Sequence, residues 1–272
     1  MRRTFAEVLK EGKIDIKNEY SKFYMLFYGK DNRDRQSMAD RVGHNILNYF
    51  FRGTCLTLDE FNEVNNYRFE KEPQDFDEDY LINFMEYMYN FIVYLKDENF
   101  FSTNAKEFYI NQIQIVVEKM GYMTISENGI VTFVPKDNTV IVVAESEQIP
   151  DNLSYRILQY NHHSMKGNLE SKRDTLIKLA DILEPKRDKL KSINDRFTSD
   201  LFLLFNKCQI RHNNIDKTSK SHYVGYIAEL DQSMLEMIYD ETYRMCMLAI
   251  MQLENLERKD WLEEIKKNID NK

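Results

Sequence analysis

The chain has 272 residues, a formal net charge of −8 at pH 7 and a pI near 5.3. This acidic balance argues against broad DNA affinity, which requires basic side chains to neutralise many phosphates. The three cysteines are widely spaced and form no CxxC pair, which favours reduced thiols in a cytoplasmic protein, and the apolar runs are too short to span a membrane.

Helical periodicity dominates the first part of the chain. Apolar residues recur every three or four positions over 37–51, and this spacing predicts a helix that ends near Gly53. Thr57, with Glu60 three residues later, predicts a helix start. Further helices are predicted over 79–95, after Asp77, and from a Ser102-Thr103-Asn104 cap to Lys119.

The pattern changes its period in the middle of the chain. Three short β-prone runs cover 122–125, 130–134 and 139–143, with turn residues between them. They predict a small β-meander. The segment from Pro135 to Pro150 then forms a natural boundary between two halves.

The second half returns to helical periodicity. We predict a helix over 154–183, a break at Pro185, a continuation to about Leu204, and a final helix over 226–256. The predicted fold is therefore mainly α, a helical bundle with a small central β-meander. Its two regions are a helical N-terminal region with the meander, 1–144, and a helical C-terminal region, 150–272.

Common phosphate-binding and hydrolase motifs are missing from the sequence, which has only 8 glycines. Cys208 and His212 are four residues apart, and on a helix they would share one face and could supply two metal ligands. Further ligands would have to come from unrelated positions. We therefore predict neither a metal nor another cofactor.

Arg211 and His212 form the best candidate for chemistry. A guanidinium can hold a phosphate, and an imidazole can transfer a proton during phosphodiester cleavage, a pairing that suits RNA with its 2′-hydroxyl nucleophile. Asn213 and Asn214 would orient the pair, or would cap the end of the preceding helix in left-handed conformation. As a structural alternative, both charged residues complement the negative end of the helix dipole.

The stretch from Leu201 to Asn214 has an apolar helix, then Asn206, then Ile210-Arg211-His212-Asn213-Asn214, and a long helix with Tyr239-Asp240-Glu241-Thr242-Tyr243 follows. It resembles the C-terminal part of abortive-infection proteins of the HEPN superfamily. The resemblance implies a helical bundle in which an arginine and a later histidine cleave RNA across a dimer interface. Arg211 matches the arginine and His212 its polar neighbour. The expected histidine positions hold Asp216, Lys217 and Thr218, and His222 lies further on.

A second group with an arginine followed by histidines consists of Arg156, His162 and His163. On a continuous helix, Arg156 and His163 would align on one face after almost two turns. This group is a candidate for substrate binding together with Asn206, Asn213 and Asn214. The alternative is a polar helix face packed against another helix.

Two functions follow from these residues. The first is an RNA-directed effector in phage defence, a metal-independent endoribonuclease that acts through Arg211 and His212. The second is a noncatalytic helical protein that binds another copy of itself or a defence-system partner. Neither function involves a membrane.

Overall fold

A computed structural model describes residues 14–30, 36–96, 104–219 and 221–270. They fold into two compact units that divide after Pro135. The elements are mostly helical, with one small antiparallel sheet, so the predicted mainly α fold class is confirmed. None of the helices among these residues has the length and apolarity that a membrane span requires.

The first unit contains five α-helices among its described residues. They are α1 (Ile16–Tyr28), α2 (Met38–His44), α3 (Leu58–Val64), α4 (Glu78–Tyr94) and α5 (Ala105–Lys119). The strands β1 (Tyr122–Glu127) and β2 (Ile130–Pro135) follow as a hairpin. Helix α4 lies at the centre of this unit, because most of its side chains are buried in one aromatic core.

Local capping fixes several of these helices where the sequence predicts them. The Thr57 hydroxyl accepts a hydrogen bond from the Glu60 amide, and the Asp77 carboxylate accepts one from the Tyr80 amide. The predicted helix over 37–51 is only partly right, since α2 ends at His44 and two short 3₁₀ turns follow. Asn104 is the residue before α5 and makes no side-chain cap, and Ser102 and Thr103 lie outside the described residues.

The hairpin is held on α4 by side chains of this helix that hydrogen-bond to the backbone of β2. The Asn90 amide accepts a hydrogen bond from the Val131 backbone N–H at 2.8 Å and donates one to the Val131 carbonyl at 2.8 Å. The Glu86 carboxylate accepts a hydrogen bond from the Phe133 amide. The strand edge of β2 is therefore covered by a helix rather than by a third strand.

The predicted third strand over 139–143 is wrong. These residues belong to α6 (Asn138–Ala144), whose first turn is capped by the Asp137 carboxylate. Val140, Val143 and Ala144 are buried at helical spacing. The packing of this face outweighs the β-propensity of the branched residues.

The second unit contains α6 and six further α-helices among its described residues. These are α7 (Asp151–Gln159), α8 (Leu169–Leu183), α9 (Arg187–Ile193), α10 (Asp195–Lys207), α11 (Gly225–Ala228) and α12 (Gln232–Asp270). Helix α12 packs against α6, α8, α9 and α10, and its buried residues complete one apolar core. The predicted break at Pro185 is confirmed as a 3₁₀ turn.

A buried ion pair joins α8 to α12 inside this unit. The Lys172 ammonium lies 2.7 Å from a carboxylate oxygen of Glu236 and 2.7 Å from one of Asp240. The same ammonium lies 5.3 Å from the centre of the Tyr160 ring. These contacts compensate the charge of a side chain that is almost fully removed from water.

Replacement of Asn90 tests the anchoring of the hairpin. We expect Asn90→Ala to lower the free energy of unfolding by about 1–3 kcal/mol, because it leaves two backbone groups of Val131 without their partner. The measurement is the urea unfolding midpoint. Asn48→Ala is the matched control, since the Asn48 amide makes only an exposed contact, and equal shifts in both variants would contradict this anchoring.

Candidate functional site

Arg211 and His212 lie in a tight turn after α10, not on the helix itself. Helix α10 ends at Lys207, and Cys208 is its C-cap. Gln209 then adopts a left-handed conformation with φ of +58°. The left-handed cap predicted for Asn213 or Asn214 is therefore wrong in position, because Gln209 takes that role.

The end of α10 also separates Cys208 from His212. The two residues cannot share a helix face as the sequence spacing suggests, because the helix ends before either of them. Cys208 is buried, and desolvation raises the pKa of its thiol. A protonated, buried thiol is a poor nucleophile and a poor metal ligand.

Asn214 holds the turn together. It is fully buried, and its Oδ1 accepts a hydrogen bond from the Gln209 amide at 2.8 Å. Its Nδ2 donates to the Asn206 carbonyl at 3.1 Å and to the His222 carbonyl at 2.6 Å. The Asn214 carbonyl in turn accepts from the Val224 amide at 2.8 Å. One side chain thus joins the end of α10 to the segment that precedes α11.

The other two asparagines of this stretch differ from Asn214. The Asn206 amide donates to the Phe202 carbonyl at 2.8 Å, a bond within α10. Asn213 is exposed. The structure therefore places one of the three predicted amides in the core, one on the helix and one at the surface.

His222 stacks on His212. The two ring centroids lie 4.1 Å apart with an angle of 21° between the planes, and both side chains are partly exposed. The chain reverses direction after Asp216, whose carboxylate accepts hydrogen bonds from the Thr218 amide and hydroxyl. This reversal brings His222 back to His212. His222 lies outside the sequence spacing considered above, and the sequence alone gives no signal for this contact.

The surroundings of His212 favour its neutral form. Partial burial lowers the pKa of its imidazole, and the neighbouring His222, Arg211 and Lys207 lower it further. A stacked imidazole pair also disfavours two positive charges at once. A neutral imidazole can accept a proton, as a general base must.

The Arg211 guanidinium faces two acidic residues of the α8 end. Nη1 pairs with the Glu184 carboxylate, and Nη2 lies 3.4 Å from an Asp181 carboxylate oxygen and 3.4 Å from the Ala180 carbonyl. Asp181 is largely exposed, with 67% of its side chain accessible. Arg211 therefore anchors the turn to the end of α8 through Glu184, with a longer contact to Asp181.

Two further groups cover the backbone of the turn. The Arg173 guanidinium donates to the carbonyls of Gln209 and Ile210 at 2.6 and 3.1 Å. The Tyr239 hydroxyl donates to the Gln209 carbonyl at 3.1 Å. These donors come from α8 and α12, so the position of the two histidines depends on the packing of three helices.

The second predicted group does not lie on one helix face. Helix α7 ends at Gln159, which leaves Arg156 on the helix and places His162 and His163 beyond it. The two imidazole rings lie 3.9 Å apart, and His162 is buried beside the Ser164 hydroxyl at 2.8 Å. The predicted alignment of Arg156 with His163 over two helical turns is therefore wrong.

The role of Asn214 can be tested by comparison with its exposed neighbour. We expect Asn214→Ala to reduce the free energy of unfolding by about 2–4 kcal/mol, because buried backbone groups lose their partners. Asn213→Ala should change it by less than about 0.5 kcal/mol. Thermal or urea unfolding measures both, and a similar loss in the two variants would argue against the anchoring role.

The interaction of the two histidines predicts a pH effect. The pKa of His212 is lower in the folded state than in the unfolded chain, so stability should fall as the pH drops through about 6.5 and below. In an NMR titration, His222→Ala should raise the midpoint of His212, because a neighbouring positive charge is removed. His44→Ala is the control and should leave it unchanged; an unchanged midpoint in His222→Ala would contradict the coupling.

Comparison of the chain with protein-family models, with curated proteins and with solved structures gave no match in any of the three. A function for this chain has therefore to be inferred from its own residues and contacts.

Proposed function

We propose that the protein is a metal-independent endoribonuclease in which His212 and His222 transfer the protons and Arg211 holds the scissile phosphate. The stacked histidine pair beside an arginine is the observation that supports this proposal most strongly. It brings together, from the turn after α10 and the segment before α11, the groups that cleavage of an RNA phosphodiester by its own 2′-hydroxyl needs.

The reaction follows from the chemistry of the pair. Neutral His212 takes the proton of the 2′-hydroxyl while that oxygen attacks phosphorus. The partner imidazole, in its protonated form, gives a proton to the departing 5′-oxygen. The products are a 2′,3′-cyclic phosphate and a 5′-hydroxyl, and the charge of the pair is conserved in the step.

Arg211 can take part without losing its anchor. Its Nη2 contacts, to the exposed Asp181 carboxylate and to the Ala180 carbonyl, are both 3.4 Å long, whereas Nη1 keeps the Glu184 pair. A phosphate oxygen replaces Asp181 at Nη2 in this proposal and accepts one charge-assisted hydrogen bond from it. Lys207, exposed on the last turn of α10, adds positive charge nearby.

The resemblance to HEPN abortive-infection proteins supports the same proposal. Arg211 and His212 fit the first part of the motif, and His222 stands in for the histidine that is missing from 216–218. An RNA-directed role in phage defence, in the cytoplasm and as a homo-oligomer, follows from this resemblance. The three buried free cysteines suit a reducing compartment.

A cleavage assay with single-stranded RNA in the presence of chelator tests the proposal. The wild-type protein should release a 2′,3′-cyclic phosphate end, and His212→Ala and His222→Ala should each lower the rate at least about 100-fold. His44→Ala, the matched control, should retain full activity. RNA that is 2′-O-methylated should resist cleavage.

Two results would contradict the proposed ribonuclease activity. One is wild-type cleavage that survives in both folded histidine variants, which would indicate a contaminating enzyme. The other is a folded wild-type protein that cleaves no RNA under any ionic condition. The second result would favour the alternative function, a noncatalytic helical interaction protein, for which the exposed apolar end of α12 is the supporting observation.

A further inference from the structure

The last part of α12 extends beyond the core of its unit. Leu253 is buried, whereas none of the described side chains between 254 and 270 is buried. At 1.5 Å per residue, this extension is about 25 Å long. An isolated helix of this length is only marginally stable in water, so contacts along its side would stabilise it.

An apolar stripe runs along the extension. Trp261, Leu262 and Ile269 are exposed by 62%, 45% and 66%, and Ile265, which is partly exposed, lies between them. Their spacing of three and four residues places all four on one side of the helix. Trp261 and Val142 also line an open groove, so α6 leaves the stripe uncovered there.

Charged residues of opposite sign flank the stripe. Glu257 and Glu264, seven residues apart, lie along one edge, and Lys259 and Lys266, also seven apart, lie along the other. All four side chains are exposed. From Trp261 to Ile269 the helix therefore has an apolar centre between an acidic and a basic edge, and the Arg258–Glu254 ion pair lies in line with the stripe before Trp261.

We propose that a second copy of this chain covers the stripe, with the two α12 extensions side by side and parallel. Two-fold symmetry along the helices places the acidic edge of each copy against the basic edge of the other. An antiparallel pair would instead place each edge against its own kind, acid against acid and base against base. The charge pattern thus fits a second copy in one orientation.

The size of the contact predicts its strength. Four apolar residues on each copy bury less than the roughly 800 Å² per partner of a standard interface. The dimer is accordingly weak and forms in a concentration-dependent manner. This inference stands on the extension alone and does not depend on the proposed ribonuclease activity.

Charge reversal on one edge tests the pairing in the full-length protein. The double variants Glu257→Lys/Glu264→Lys and Lys259→Glu/Lys266→Glu carry like charges on both edges. Each should dimerise at least tenfold more weakly than wild type in sedimentation velocity over a concentration series, and an equimolar mixture should form a heterodimer. Glu263→Lys/Lys267→Glu, on the opposite side of the helix, is the matched control and should behave as wild type.

Cysteine cross-linking tests the orientation. In a parallel pair, Leu262→Cys and Ile269→Cys should each form a symmetric disulfide, whereas an antiparallel pair would allow at most one of them. The native cysteines are buried and should not interfere. A monomeric wild type at the highest concentration, double variants that dimerise like wild type, or cross-linking at only one position would overturn the proposal.

Discussion

The buried amide of Asn214 is the interaction on which the rest of the candidate site depends. It satisfies three backbone groups from two segments that are otherwise separated by a loop, and each of those groups would be costly to bury without a partner. Because the carbonyl of His222 is one of the three, the same amide fixes the backbone from which the second imidazole extends. The two segments that carry the stacked histidines are therefore joined by a hydrogen-bonding requirement of the turn after α10.

The charged groups around the turn fall into two sets, those that hold the turn in place and those that a ligand could contact. Glu184 and Arg173 fix the Arg211 side chain and the backbone at Gln209 and Ile210, respectively. The exposed Asp181 carboxylate beside Arg211 and the two partly exposed imidazoles remain accessible to a ligand. A site with this division can keep its geometry while one ionic contact is exchanged, which is the property that pre-organised catalysis requires.

The sequence predicted the parts of the fold whose signals are local. Helix α4 followed from strong periodicity and the Asp77 cap, and the hairpin from its turn residues. The helical state of 139–143 was missed because burial against neighbouring helices outweighed β-propensity. At the site, Arg211 and His212 stood out by residue type. His222 did not, because it reaches His212 through a chain reversal held by one buried amide, and no periodic pattern encodes such a contact.

A double-mutant cycle on His212 and His222 tests the central claim most directly. If the two imidazoles act as one proton-transfer pair, the double variant should cleave RNA no more slowly than the slower of the two single variants. The reason is that either single substitution already removes the function of the pair. Independent losses that multiply in the double variant would contradict a joint role, as would a cleavage rate that neither substitution changes.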